Sequence, residues 1–171
     1  MLESTINALL TRVEERLPEL LSAVWDDQAE DDADRGEFID LVTPVSYTFG
    51  RLSEGPYEFP AIRMWEEENS ATSTGPTTGG DMPEGWTEFL STIIVMVCLQ
   101  HVDELVLERQ LTRYRRAVWQ FISENQILSG ESATLTLRRI GRESPTARLQ
   151  VKTPGVRGLF FEVTVDSQET F

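Results

Sequence analysis

Residues 86–99 form a run that is apolar on both alternations of an extended chain. A strand with this pattern lies at the centre of a sheet or is covered on both faces, because a half-exposed strand alternates apolar with polar side chains. The chain has 171 residues, which is the size of one ordinary domain. We therefore expect a single domain over residues 1–171, layered around this strand. One alternation carries Phe89, Ile93, Val95, Val97 and Leu99, and the other carries Leu90, Ile94, Met96 and Cys98.

Two amphipathic helices are predicted from apolar residues spaced three or four apart. The first begins near the N-terminus, and Pro18 within it predicts a kink or a second short helix, because proline lacks a backbone donor. The second begins after Asp103, a good N-cap residue, and runs to about Asn125. The apolar stripes are Leu2, Ile6, Leu9, Val13, Leu17, Leu20 and Val24 in the first helix, and Leu107, Leu111, Tyr114, Val118 and Phe121 in the second.

Short extended segments lie around these helices. Residues 61–68 and 86–99 are expected to pair as a hairpin, because only a long polar segment separates them. These patterns predict an α+β fold, with a mixed or antiparallel sheet of about five to six strands. The N-terminal helix and the second long helix flank this sheet. The other predicted strands are residues 37–49, interrupted by Pro44, and residues 133–141, 147–152 and 158–166.

Two polar segments are predicted to be loops. Residues 26–37 are rich in Asp and Glu, but a calcium loop beginning at Glu30 or Asp31 fails, because arginine or alanine occupies required positions. A solvated acidic loop is the interpretation that remains. Residues 69–85 are dominated by Ser, Thr, Gly and Pro, which predicts a flexible hairpin tip available for interactions. The residues singled out in this tip are Thr72, Gly75, Gly79, Gly80 and Asp81.

The chain is strongly acidic, with a formal net charge of -14. Such a surface repels phosphate backbones and anionic headgroups, which argues against binding nucleic acid or membranes by charge attraction. Of the 15 basic residues only Lys152 is a lysine. Acidic, lysine-poor chains resemble proteins of salt-loving organisms, in which molar salt screens the self-repulsion.

The charge is unevenly placed along the chain. Residues 1–105 contain 22 acidic and 5 basic residues, whereas residues 106–171 contain 7 acidic and 10 basic residues. One interpretation is head-to-tail pairing between copies through opposite poles. The other is that the whole chain is acidic for a general reason and that one secondary-structure element merely lacks this excess of acidic residues.

The sequence offers little for catalysis or for a metal. Cys98 and His101 are its only cysteine and histidine, so His101 is the only histidine that could act as the base for a nucleophile, and a zinc cluster cannot be assembled. His101 is interpreted as a structural residue. The glycines at 75, 79 and 80 lack the Lys-Ser/Thr of a phosphate loop. We expect no catalytic, metal or cofactor residues and no enzymatic activity.

No signal peptide or membrane span is evident either. Residues 1–5 lack a charged region followed by an apolar one. The longest apolar run, residues 93–99, is far below the roughly 18 residues that cross a bilayer. We expect a protein made in the cytoplasm, without a membrane partner.

Three arginines, Arg109, Arg113 and Arg116, are predicted on the side of the second helix opposite its apolar stripe. They could form a weak phosphate site, a solvated face, or a contact with acidic residues of a neighbouring subunit such as Glu66, Glu67 and Glu68. Trp119 and Trp65 are either aromatic anchors of such a contact or ordinary core residues.

The second helix contains the stretch Leu111-Thr-Arg-Tyr-Arg-Arg-Ala-Val-Trp119 after an apolar strand. This stretch, with the order of helices and strands, resembles the tail-terminator (tail-completion or neck) proteins of long-tailed viruses, whose equivalent helix carries a similar Arg-Tyr-x-Arg-Ala stretch. The likeness in layout covers most of the chain. The acidic segment 26–37 and the long tip 69–85 depart from it.

The resemblance implies a non-enzymatic virion protein of the neck that assembles into a ring, expected to be a hexamer. Its partners would be further copies, the major tail tube protein and the head-closure or connector protein, and DNA would pass through the lumen without specific binding. With the acidic composition, it implies a tailed virus of a halophilic archaeon, with synthesis in the host cytoplasm. A head-closure, connector or other minor tail protein is one alternative, and a cellular adaptor or ligand-binding protein is another.

Overall fold

A computed structural model describes residues 2–50, 58–74, 86–128, 133–143 and 155–170. Two helices and six strands occur in this part of the chain. They form a single mixed sheet of order β1-β2-β3-β6-β5-β4, in which only β1 and β2 are parallel. The predicted α+β fold is confirmed. The elements are α1 (Leu2–Asp34), β1 (Ser46–Phe49), β2 (Ala61–Thr74), β3 (Trp86–Gln100), α2 (Glu104–Glu124), β4 (Ile127–Leu128), β5 (Ala133–Glu143) and β6 (Val156–Thr170).

The doubly apolar strand, β3, is central, as predicted, and pairs with β2 on one side and β6 on the other. One face belongs to the main core beneath the two helices, and the other face belongs to a second apolar cluster. The predicted hairpin is confirmed, since β2 pairs antiparallel with β3 from Ala61↔Cys98 onward. Ile93, Val95, Val97 and Leu99 face the main core, whereas Ile94, Met96 and Cys98 join Ala61, Trp65 and Phe160 in the second cluster.

Helix α1 packs its apolar stripe onto the sheet and onto α2. The helix continues through Pro18, so the prediction of a second helix beginning there is wrong. Leu17 and Leu21 are fully buried around this proline. Burial of such side chains contributes about 1.5–3 kcal/mol each, which is comparable to the cost of about 3 kcal/mol for an interior proline.

The acidic segment 26–37 is helical as far as Asp34, so the prediction of a loop there is wrong. The helix ends at Gly36, whose φ of 67° is the left-handed conformation that glycine adopts readily. The backbone N–H of Gly36 donates to Ala33 and that of Glu37 donates to Asp32, which is the Schellman pattern of a helix C-terminus. The acidic part of this helix is held against α2 by the ion pairs described below.

Of the strand predicted over residues 37–49, only β1 is observed. Residues 37–45 contact side chains of both helices and do not join the sheet. Their carbonyl groups accept hydrogen bonds from side chains of the helices instead of from a neighbouring strand. These bonds run from Trp25 Nε1 to Ile39 (2.9 Å), from Gln110 Nε2 to Asp40 (3.5 Å) and from the Tyr114 hydroxyl to Val42.

Strands β2 and β3 are longer than predicted. Residues 69–74 belong to β2 and pair with residues 86–91, so the prediction of a flexible tip is wrong for them. Polar Thr and Ser are compatible with strands where the backbone groups are paired, and β6 extends alongside as far as Trp86↔Thr170. The tip residues Gly75, Gly79, Gly80 and Asp81 and the predicted strand 147–152 lie outside the described residues.

The strands predicted at 133–141 and 158–166 are confirmed as β5 and β6, each somewhat longer. Strand β4 was not predicted. The short strands β1 and β4 lie at the two edges of the sheet. Short edge strands limit the unpaired backbone offered to other chains.

Candidate functional site

Helix α2 carries most of the predicted site residues, and its start is fixed by local hydrogen bonds. Asp103 is the N-cap, as predicted: its Oδ1 accepts from the backbone N–H of Leu105 (2.8 Å) and of Val106 (3.3 Å). His101 Nδ1 accepts from the backbone N–H of Asp103 at 2.9 Å. This supports the interpretation of His101 as a structural residue.

The three predicted arginines of α2 form ion pairs within the chain. Their partners are acidic residues at the end of α1 and just after it. The two segments are antiparallel here, so the first of these arginines along α2 pairs with the last of the acidic residues, and the last arginine pairs with the first. We call these three residues the arginine ladder. The contacts are Arg109 Nη2 to Glu37 Oε2 (3.5 Å), Arg113 Nη2 to Asp32, and Arg116 Nη1 to Asp27 Oδ2 (2.6 Å). Asp27 and Asp32 belong to α1, so two of these pairs hold the acidic end of the helix against α2, while the third holds Glu37 just after the helix.

Arg113 is the buried member of the ladder, with 5% of its surface exposed. Its Nη2 donates to both carboxylate oxygens of Asp32, at 2.6 Å to Oδ1. The guanidinium also lies 5.0 Å from the ring centroid of Trp25, within the range of a cation–π contact. Trp25 in turn meets Tyr114 edge to face, with ring centroids 6.3 Å apart. Arg113 is therefore part of the helix–helix core, and its predicted role as an exposed contact is wrong.

Arg109 and Arg116 lie at the partly exposed ends of the ladder. Their predicted contact with a neighbouring subunit stays a prediction, because their exposed portions remain accessible. The hydrogen bond and the charge of Arg116 lower the pKa of Asp27.

The Asp27–Arg116 pair can be tested by titration. A carboxyl group with a lowered pKa stays charged at pH values at which an ordinary aspartate is protonated, and the pair is lost only as the pH falls through that lowered value. We expect Arg116→Gln to raise the pKa of Asp27 towards its ordinary range. Carboxyl NMR titration of both proteins measures this, and an unchanged Asp27 pKa in the variant contradicts the pairing.

An exposed surface lies beyond the ladder on α2. Trp119 is 52% exposed, and Arg115 is exposed and forms no ion pair with any residue in the described ranges. Trp119 borders two grooves. The first, of about 430 Å³, lies between α1, α2 and Ile140 of β5. The second, of about 510 Å³, lies between the end of α2 and β5. Arg115 lines the first groove and was not singled out from the sequence.

The remaining predicted anchor, Trp65, lies elsewhere. It is buried in the second apolar cluster, on the sheet face opposite the helices, and its Nε1 donates to Glu67 Oε2 at 2.8 Å. It is thus a core residue and not an exposed anchor. Glu66 is half-buried and Glu67 exposed, while Glu68 and Thr72 contribute backbone to β2. The structure does not bring these residues together with the arginine ladder.

Reactive groups are sparse in the part of the chain that the structure describes. No cluster of three or more His, Cys, Asp or Glu residues there could hold a metal ion. Cys98 is buried, and burial raises the pKa of its thiol to about 12, so the nucleophilic thiolate is not formed near neutral pH. None of the described helices is long and apolar enough to cross a membrane.

No protein family and no curated protein sequence matches the chain. Among solved structures, a chain in the virion of a native gene transfer agent (GTA) particle is similar over 92% of this protein and 98% of that chain, with 10% identity and a TM-score of 0.39. A likeness of this degree establishes neither a shared family nor a shared function.

Proposed function

We propose that this protein is a non-enzymatic structural component of a viral neck, a tail terminator. It assembles into a ring that ends the tail tube and presents a docking face to the head connector. The observation that carries the proposal is the stretch Leu111–Trp119, in which the resemblance to tail terminators resides. In the structure this stretch has a buried half, with Arg113 and Tyr114 in the helix–helix core, and an exposed half, with Arg115 and Trp119 beside a groove.

The long strands support this proposal. Strands β2, β3 and β6 have 14, 15 and 15 residues, which corresponds to about 50 Å at roughly 3.3 Å per residue. The main core includes residues of β3 from Ile93 to Leu99, whereas Leu90, nearer the start of the strand, is 44% exposed. Backbone pairing of the three strands continues past Leu90 as far as Trp86↔Thr170, and we propose that a tube subunit stacks on this end of the sheet.

The charge supports a role as a DNA conduit. A ring of subunits that each carry a net charge of -14 repels phosphate, so that DNA passes through the lumen without being bound. The acid excess and the single lysine also fit assembly at high salt, in the host of a halophilic virus. The partners would be further copies, the major tail tube protein and the head connector, with the virion as the final location.

The proposal predicts a defect in tail length. Deleting the gene from the viral genome should give overlong tails that lack heads in electron micrographs, and the wild-type gene supplied in trans should restore the normal length distribution. Purified protein should bind the ends of assembled tubes, and native mass spectrometry at high salt should detect the ring. Tails of normal length joined to heads in the deletion would contradict the proposal, whereas normal-length tails without heads would favour the head-closure alternative.

A further inference from the structure

We propose that the groove between α1, α2 and β5 is a carboxylate-binding site that receives the acidic side of α1 from a second copy of the chain. The inference rests on the self-assembly that the proposed function requires. It names the two surfaces through which neighbouring copies of the chain contact each other. The residues of this groove that carry the argument are Arg113, Arg115, Arg116, Trp119, Val24 and Ile140.

The groove contains one exposed cation, Arg115, that no residue in the described part of the chain pairs. Arg116 is paired with Asp27, and Nη2 of Arg113 is paired with Asp32. Nη1 of Arg113 is buried and has no hydrogen-bond partner among the described residues. Arg115 adds a full positive charge that no described residue pairs. A carboxylate that enters the groove would pair with Arg115.

The apolar wall of the groove favours a protein partner over a free ion. Trp119 is exposed at the rim, and Val24 and Ile140 line the same space. Exposed tryptophan and arginine side chains are the residue types that contribute most at protein interfaces. The groove thus combines charge for a carboxylate with apolar surface for the stem that carries it.

The complementary surface is on α1 of the same chain. At about 100° per residue, five acidic residues fall within an arc of roughly 100°, and all five are exposed. We call them the acidic stripe. It lies roughly 150° around the helix from Val24 and Gln28, which line the groove, so it faces away from the groove of its own molecule. The stripe consists of Glu15, Glu19, Asp26, Glu30 and Asp34, of which Glu19 is paired with Arg16 of the same helix.

Because the groove and the stripe are different surfaces, their contact is heterologous, and repetition of it generates a ring if the rotation closes. This arrangement also revises the predicted interface. Arg113 is buried and offers no exposed charge to a second copy, so Arg115 replaces it as the cation of the proposed contact.

The test is self-association of the full chain, measured by sedimentation velocity over a range of protein concentrations. Trp119→Ala should weaken association by about thirtyfold or more, and Arg115→Glu by about tenfold or more. Asp26→Arg combined with Glu30→Arg should weaken it similarly, and combining these two changes with Arg115→Glu should recover at least half of the loss. Arg157→Glu is the control for Arg115→Glu, because it reverses the same charge at the other end of α2, where Arg157 pairs with Glu104.

Circular dichroism melting of each variant separates lost association from lost folding. A wild-type chain that is monomeric up to about 1 mM, or association that persists in folded Trp119→Ala and Arg115→Glu, overturns the proposal. Loss with the groove variants but none with the α1 variants overturns the acidic stripe as the occupant. The proposed function fails separately, if a ring that forms through these surfaces does not bind tube ends.

Discussion

Replacing Asp32 by alanine is expected to lower the free energy of unfolding by about 3–5 kcal/mol. The substitution leaves the guanidinium of Arg113 buried at 5% exposure without its carboxylate partner. Removing one member of a buried ion pair is costly because the remaining charge stays desolvated without compensation. The end of α1 should also unwind, since Asp32 is one of the contacts that hold the acidic segment against α2.

The matched comparison is Asp27→Ala, which removes the exposed ion pair of the same ladder, with Arg116. Exposed pairs contribute little, because water and salt screen both charges. The loss with Asp27→Ala should therefore be much smaller. Urea or guanidinium unfolding followed by circular dichroism measures both, and equal losses in the two variants would contradict the assignment of Arg113 to the core.

A double substitution tests whether the stability lost in Asp32→Ala comes from the unpaired buried charge of Arg113 or from the cavity that the substitution leaves. Asp32→Ala with Arg113→Met removes both charges and keeps an apolar side chain of similar length against Trp25. Apolar replacements of buried ion pairs are often neutral or stabilising, so the double variant should regain most of the stability lost in Asp32→Ala. If it stays as unstable as the single variant, the cost comes from cavity formation and not from the unpaired charge.

The buried pair also explains what could be predicted from the sequence. The apolar patterns predicted β3, the hairpin and both helices, because burial of a repeating face leaves its period in the sequence. The acidic part of α1 has no such period. Its Asp27 and Asp32 pair with Arg116 and Arg113, which come from a segment more than 80 residues away. Local composition therefore predicted a loop, and the tertiary contacts overrode it.

Residues 37–45 were predicted as a strand for a related reason. Their extended backbone is satisfied by Trp25, Gln110 and Tyr114, whose polar atoms lie inside apolar stripes or beside them. Nothing in the spacing of these residues indicates where a side-chain donor will point. Arg115 was overlooked because its position around α2 is closer to the apolar stripe than that of the ladder, whereas the role proposed for it depends on having no acidic partner among the described residues.

The ion pairs within the molecule change how the uneven distribution of charge along the sequence is interpreted. The acidic front and basic back of the sequence suggested opposite poles that attract between molecules. In the structure, three arginines of the basic part are paired with acidic residues of the same molecule. Two exposed charged surfaces remain in the described part of the chain: the acidic stripe on the outer side of α1, and Arg115 at the groove.

A second large effect is expected in the sheet, at Gly141. This residue in β5 lies directly across from Phe160 in β6, and the phenyl ring covers the glycine. A Cβ atom at position 141 would lie 2.2 Å from Cζ of Phe160. The ring would have to leave the second apolar cluster, in which Phe160 is 5% exposed. Gly141→Ala should therefore destabilise the fold by about 2–3 kcal/mol, as overpacking of a well-packed site does.

A double-mutant cycle with Phe160→Ala tests this reason. Phe160→Ala alone should cost about 3–5 kcal/mol through lost burial, but it also makes room for the methyl group that Gly141→Ala introduces. The loss in the double variant should then be clearly less than the sum of the two single losses, because residues in contact do not act independently. Gly36→Ala is the control: no atom lies within 4 Å of its Cβ, so it reports only the left-handed backbone cost of about 1–2 kcal/mol. Additive losses at Gly141 and Phe160 would show that the ring does not occupy the space above the glycine.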